Sequence, residues 1–277
     1  MQAIWVGKTT KLKPESIALA IEARDIIASY NNRVTLRQVF YQLVSRNIIE
    51  NTERAYKNLG NLLVKARESG IVEWSAMEDR GRSIDTAGTY DSVDQFKRVM
   101  RYMFDQDRWV NQQRRVAVIV EKAALAGVIE PVCRQYQTPF IAARGYASAT
   151  LVAEASVALR NHAVLYLGDH DPSGVDMARD WQDRLRNFDA GCSVERIALT
   201  RDQIEMFSLP PQPVKAADAR ATAYESVHGS GVWELDALPP DELGRLVQSA
   251  IESFIDPEAW NERDEEIEAL RELIFKD

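Results

Sequence analysis

Two short segments hold most of the acidic side chains that could do chemistry together. Val118-Ile-Val-Glu121-Lys122 places a glutamate at the end of an apolar run. Val164-Leu-Tyr-Leu-Gly-Asp169-His-Asp171-Pro-Ser-Gly174 places two aspartates, two residues apart, after another. In extended chain the side chains alternate with a period of two, so Asp169 and Asp171 share a side and His170 turns away. Three carboxylates at neighbouring strand ends repel one another unless a cation neutralises them. An all-oxygen set suits Mg²⁺, with Mn²⁺ as a substitute. Glu121, Asp169 and Asp171 are therefore the expected metal ligands. The same aspartates also suit a plainer role, Asp169 opening a turn and Asp171 capping the next helix. His162 and His228 stand alone, with surface or packing roles expected. Gly7-Lys8-Thr9-Thr10 is not a P-loop, because Gln2 stands where that motif needs its first glycine.

These acids need strands to carry them. From Arg114 onward, apolar runs at Val116–Val120, Pro139–Ala143, Ala163–Leu167 and Ser193–Leu199 alternate with helical patterns at Ala123–Tyr136, Ser148–Arg160 and Gly174–Asn187. That alternation predicts βαβ units and a largely parallel sheet, whose ligands gather at the carboxyl ends of the strands. The tail from Pro240 reads as helical and acidic. Upstream, Pro14–Ile27, Thr35–Ser45 and a segment from Asn51-Thr52 to Gly70 repeat apolar residues at helical spacing, with Thr35 and Thr52 as caps. Ile71-Val-Glu-Trp74 reads as a short strand. Three helices followed by a strand is the order of a winged helix, and also of a plain three-helix bundle. The expected class is mixed α/β in two domains: residues 1–80, a connector 81–113 containing a helix-like Ser92–Phe104, and an α/β domain 114–277 with a helical acidic extension.

Composition narrows the setting. With 277 residues, 45% hydrophobic and 27% charged, the chain matches ordinary globular usage. No apolar run approaches the roughly 18–20 residues of a membrane span. Met1–Lys8 has neither the basic region nor the apolar core of a secretory signal. Two cysteines, Cys133 and Cys192, with no CxxC spacing, argue against a disulfide framework or zinc site, and a reduced cytoplasmic protein is expected. The net charge of −8 is uneven: residues 1–69 carry +5 and residues 230–277 carry −10. Such asymmetry hints that one end faces a polyanion.

A strand-end glutamate followed by Asp-x-Asp-x-x-Gly resembles the Toprim domain of topoisomerases, primases and certain nucleases. Asp-His-Asp-Pro-Ser-Gly and Glu121-Lys122 resemble most the A subunit of type IIB topoisomerases (topoisomerase VI) and its meiotic double-strand-break relatives. Thr35-Leu-Arg37-Gln-Val-Phe40-Tyr41 is similar to that family's Arg-x-x-aromatic-Tyr motif, and Trp233-Glu-Leu-Asp-Ala-Leu-Pro-Pro240 to the end of such domains. The compact form looks like the Mini-A group. Two departures stand out: Phe40 replaces the commoner first tyrosine, and Arg144-Gly-Tyr146-Ala-Ser replaces Gly-Tyr-Pro-Asp.

The resemblance implies a winged helix ahead of a Toprim domain, with Tyr41 as nucleophile and Arg37 on the phosphate. It also implies Mg²⁺ on Glu121, Asp169 and Asp171, double-stranded DNA as substrate and a nucleoid-associated location. A homodimer is implied, in which Tyr41 of one protomer works with the metal site of the other, and any strand passage needs a separate ATPase subunit. A phenol, with pKa about 10, attacks and leaves more readily than an aliphatic alcohol. Arg37, Lys57 and Arg144 are the expected DNA contacts, with Arg33, Arg54, Lys65 and Arg67 as further phosphate candidates. Two other readings remain: a Toprim nuclease that hydrolyses DNA with water and has no need of Tyr41, and a DNA-binding protein without catalysis.

Overall fold

The computed structural model describes residues 11–30, 33–78, 88–213 and 220–275. Gly7–Thr10 and residues 79–87, around the start of the connector, lie outside them.

Three helices come first: α1 (Pro14–Ala28), α2 (Leu36–Ser45) and α3 (Glu53–Glu68). Thr35 starts α2 with a reciprocal cap, its hydroxyl accepting from the Gln38 N–H while the Gln38 side chain accepts from the Thr35 N–H. Thr52 caps α3 in the simpler way. The apolar stripes of the three helices meet in their own core of Ala20, Ile26, Val39, Leu43, Leu59 and Leu63. Residues 71–74 do not form the expected strand. The Ile71 and Val72 N–H groups both go to the Ala66 carbonyl, closing the end of α3. A 3₁₀ turn, Trp74–Ala76, follows, and the Trp74 ring lies under the Arg67 guanidinium. A single parallel bridge, Val34 to Met77, is all the β-pairing described there.

An exposed helix, α4 (Val93–Met103), leads into the α/β unit. Its strands are β1 (Val116–Val120), β2 (Phe140–Ala142), β3 (Ala163–Leu167) and β4 (Ser193–Ala198). All pair in parallel, in the order β2-β1-β3-β4. Connecting them are α5 (Ala126–Gln135, preceded by a 3₁₀ turn at Ala123–Leu125), α6 (Ala149–Ala158) and α7 (Pro172–Asn187). Alternate residues of β1 and β3 enter opposite cores: Val116, Val118, Val120, Leu165 and Leu167 on one face, Ala117, Ile119, Val164 and Tyr166 on the other. Burial on both faces is why these strands read as unbroken apolar runs.

After β4 come α8 (Arg201–Met206), a small antiparallel pair β5 (Gln212–Pro213) and β6 (Gly231–Val232) enclosing α9 (Ala221–His228), and then a 3₁₀ turn, Leu235–Ala237. Helices α10 (Pro240–Glu252) and α11 (Pro257–Ile274) finish the chain, α10 covering the β1 face through Leu243, Val247 and Ile251. No helix among the described residues is long and apolar enough to cross a membrane. Cys133 and Cys192 are both free.

Candidate functional site

Strand β1 is followed in the chain by its neighbour on one side, and the chain then passes to β3 on the other. The carboxyl ends of β1 and β3 therefore form the switch point at which parallel sheets leave a crevice. Glu121 and Asp169 stand there. The Glu121 N–H donates to the Leu167 carbonyl at 2.8 Å, extending the ladder by one residue, and its Oε2 accepts from the Asp169 N–H at 3.0 Å. Gly168 leaves room for this: a Cβ on it would stand 2.8 Å from that Oε2 and 2.7 Å from the Tyr166 ring. Gly174 is equally constrained, since a Cβ there would meet the Asp169 carbonyl oxygen at 2.2 Å. Asp171 takes the plainer of its two roles, its Oδ1 accepting the Gly174 N–H at 2.6 Å as the N-cap of α7. His170 turns away, its Nδ1 2.6 Å from the Tyr224 hydroxyl and its backbone bridged to Trp233. Behind the loop, the half-buried Arg196 guanidinium donates to the carbonyls of Gly168 and Gly174 at 2.8 Å and Asp169 at 2.5 Å.

A second acidic pair faces the first. Trp233-Glu-Leu-Asp runs back across the strand ends, burying Leu235 and leaving Glu234 and Asp236 on either side of it. The Leu235 N–H donates to Asp169 Oδ1 at 2.8 Å, which joins the two segments. Between the pairs lies Lys122. Its ammonium is 2.7 Å from Asp169 Oδ1 and 3.4 Å from Asp236 Oδ2, and it also donates to Glu234. The cation that the clustered carboxylates demand is thus supplied at Asp169 by the chain itself.

The three-helix unit completes the cluster. Arg37 Nε reaches Asp236 Oδ2 at 3.3 Å, and its Nη2 lies 3.7 Å from Glu234. Arg37 Nη2 also donates to the Tyr41 hydroxyl at 3.4 Å, one helical turn on, and that hydroxyl donates to Glu234 Oε1 at 3.5 Å. The Tyr41 ring has Arg37 Cζ 4.9 Å and Lys122 Nζ 5.3 Å from its centroid, an aromatic face touching two cations. Gln42 fixes the approach of α2: it is buried, and its Nε2 donates to the carbonyls of Asp236 and Leu238 at 3.1 and 3.0 Å.

Protonation follows from burial and charge. Burial pushes the Asp169 carboxyl well above its usual range, against the pull of Lys122. Glu121 is raised for the same reason, and the charge of Asp171 adds to it. Glu234 is lowered: burial works against its charge, but Lys122 and a hydrogen bond from Asp169 outweigh it. The Tyr41 phenol is raised by burial and by Glu234, with Arg37 and Lys122 pulling the other way. Lys122 stays charged, because Asp236, Asp169 and Glu234 overcome its burial.

The structure thus brings Arg37, Tyr41, Glu121 and Asp169 into one continuous network. Arg144 stands nearby and exposed, with the Ala143 and Gly145 N–H groups bonded to the Val120 and Glu121 carbonyls. Lys57 does not join: it sits exposed on α3, paired with Glu53 at 2.7 Å. Among the described residues no group of three or more His, Cys, Asp and Glu side chains is arranged to enclose a metal ion. Glu121 and Asp171 nevertheless keep the hard-oxygen chemistry Mg²⁺ favours, and burial and the charge of Asp171 raise the Glu121 carboxyl against the pull of Lys122 and Arg196. Asp169 Oδ1, by contrast, is already taken by Lys122 and the Leu235 N–H. Sequence reasoning missed Lys122, Glu234, Asp236 and Gln42 as site residues. Glu234-Leu-Asp236 carries the same two-residue spacing as Asp169-His-Asp171, and that was the available signal. In comparison with known proteins, the chain matches no family model and no curated protein.

Proposed function

We propose that this chain is a magnesium-dependent DNA-cleaving transesterase similar to the topoisomerase VI A subunit, with a winged-helix region before a Toprim-type domain. The observation that carries the reading is the Tyr41 phenol, set between Arg37 and Lys122 and bonded to an ionised Glu234 at the carboxyl edge of a parallel sheet. A nucleophile, a base, two cations and strand-end carboxylates are the parts that phosphoryl transfer uses.

In the reaction, the Tyr41 Oη–P bond forms as the P–O bond to one deoxyribose breaks. The Tyr41 proton passes to Glu234, the carboxylate it already faces. The departing sugar oxygen takes a proton delivered through Asp169, whose carboxyl burial raises while Glu234 is lowered; opposite shifts within one pair suit acid and base. Arg37 holds the phosphate bidentately once Glu234 and Asp236 yield it. Glu121 and Asp171 would hold Mg²⁺ or Mn²⁺, which when bound neutralises charge on phosphate oxygens. Arg144 and the basic face of α3, with Lys57, supply salt-dependent contacts to duplex DNA. Two chains acting together cut both strands, and strand passage would call for a separate ATPase subunit.

The raised Glu121 carboxyl favours a second reading, in which it draws a proton from water and DNA is hydrolysed without a covalent link. Supercoiled plasmid incubated with the protein and Mg²⁺, then stopped with detergent, separates the two. Protein-linked nicked or linear DNA that disappears in Tyr41→Phe supports the transesterase. Protein-free breaks that persist in Tyr41→Phe but vanish in Asp169→Ala select hydrolysis.

A further inference from the structure

Tyr166 on β3 is fully buried, and among the described residues its hydroxyl has no hydrogen-bond partner. Parallel register sets Tyr166 beside Ile119 of β1, and both side chains enter the core shared with α6 and α7. Glu121, two residues beyond Ile119, falls on the same face, because side chains alternate along a strand. The two side chains meet at Gly168. A Cβ there would stand 2.9 Å from the Tyr166 hydroxyl oxygen and 2.8 Å from Glu121 Oε2, so both oxygens border one small space. We infer that Tyr166 is a positioning residue: its hydroxyl donates to the Glu121 carboxylate when that carboxylate, with Asp171, takes up a divalent cation. The inference rests on the proposed Mg²⁺ site and adds a residue to it.

Three observations support it. A buried hydroxyl without a partner is unfavourable, so its place in the fold calls for an acceptor that another state of the site supplies. Glu121 is positioned to be that acceptor. Its Oε2 takes the Asp169 N–H at 3.0 Å and, as a carboxylate oxygen, has a lone pair for a second donor. Burial and the charge of Asp171 raise the Glu121 carboxyl; a bound cation works against that shift, and the ionised group accepts a hydrogen bond more strongly. Tyr166 keeps its proton for the purpose, since burial and the charge of Glu121 push its phenol above the ordinary value of about 10, against the pull of Arg196. Finally, Gly168 keeps the space open: a side chain there would occupy the gap between the two oxygens. Carboxylates that ligate metals are in turn held by outer hydrogen bonds, and losing one costs about 10–100-fold in affinity.

Mn²⁺ uptake by the protein without DNA tests the role. Free Mn²⁺ is followed by electron paramagnetic resonance in the parent, Tyr166→Phe and Glu121→Gln chains, and stability by chemical denaturation with a chelator present. Uptake by the parent that is lost in Glu121→Gln marks the site. Tyr166→Phe is expected to bind Mn²⁺ at least about tenfold more weakly than the parent. Its denaturation midpoint in chelator should equal or exceed the parent's, since the change removes only an unmatched hydroxyl. Equal Mn²⁺ affinity in the parent and Tyr166→Phe overturns the inference while leaving the cation site standing. A Tyr166→Phe midpoint well below the parent's also overturns it, because the hydroxyl would then already have a structural partner in the metal-free fold. A parent that takes up no Mn²⁺, or uptake that survives Glu121→Gln, sinks the cation site itself and the role of Tyr166 with it.

Discussion

Helices α2 and α3 belong to one small core, yet their polar faces live in different worlds. On α3, Lys57 pairs with Glu53 in open solvent, both side chains more than 70% exposed. On α2, the polar face carrying Arg37, Tyr41 and Gln42 is pressed against the α/β unit and bonded to Asp236, Glu234 and Leu238. The same kind of ion pair therefore has opposite weight. In solvent it is screened and worth little. Beside a buried carboxylate it is what allows the charge to exist there at all. A basic residue on a helix identifies a site only when something across from it has lost its water.

The largest effect that sharpens this contrast is expected at Lys122. Replacing it by methionine keeps the bulk but leaves Asp169, Glu234 and Asp236 without their shared cation. About 3–5 kcal/mol of stability should be lost, read by chemical denaturation. A loss no larger than that of a surface lysine would break the comparison. Next comes Gln42→Leu, which abandons the carbonyls of Asp236 and Leu238 and should cost about 1–3 kcal/mol.

Asp169→Asn should act through pH. The folded carboxyl of Asp169 is raised, so its contribution is present below its ordinary value near 4 and is lost as pH rises through the folded value. Glu234 is lowered and runs the other way, contributing above its ordinary value and fading as pH falls. Denaturation with a chelator present, followed from pH 4 to 8, should show Asp169→Asn gaining on the parent as pH rises; parallel curves would refute the assignment. The smallest effect belongs to Lys57→Ala. Loss of an exposed i,i+4 pair should change stability by no more than about 0.5 kcal/mol, while weakening of DNA binding in a salt titration would show its use on phosphate.

The scaffold was largely legible. Strands at 116–120 and 163–167, the Thr35 and Thr52 caps and the alternation of helix and strand follow from local pattern, and the structure has them. The strand expected at 71–74 failed because β-propensity says nothing about whether the N–H groups are already engaged, and here the end of α3 uses them. The Asp-x-Asp segment showed where acids would gather. It did not show that Asp171 would cap α7 while Asp169 would take a lysine, since both roles are compatible with one spacing.

Period, caps and glycine positions are local properties, encoded within a turn or a strand, so the chain's own order determined the helices, the parallel sheet and the edge on which its acids lie. Which acid keeps its proton, which cation answers it and which helix reaches it depend on groups far apart in sequence: Arg37 meets Asp236 and Lys122 meets Glu234. Charge acts through space and is governed by the water excluded around it. Only the tertiary structure, by folding 233–238 between α2 and the strand ends, could decide those pairings.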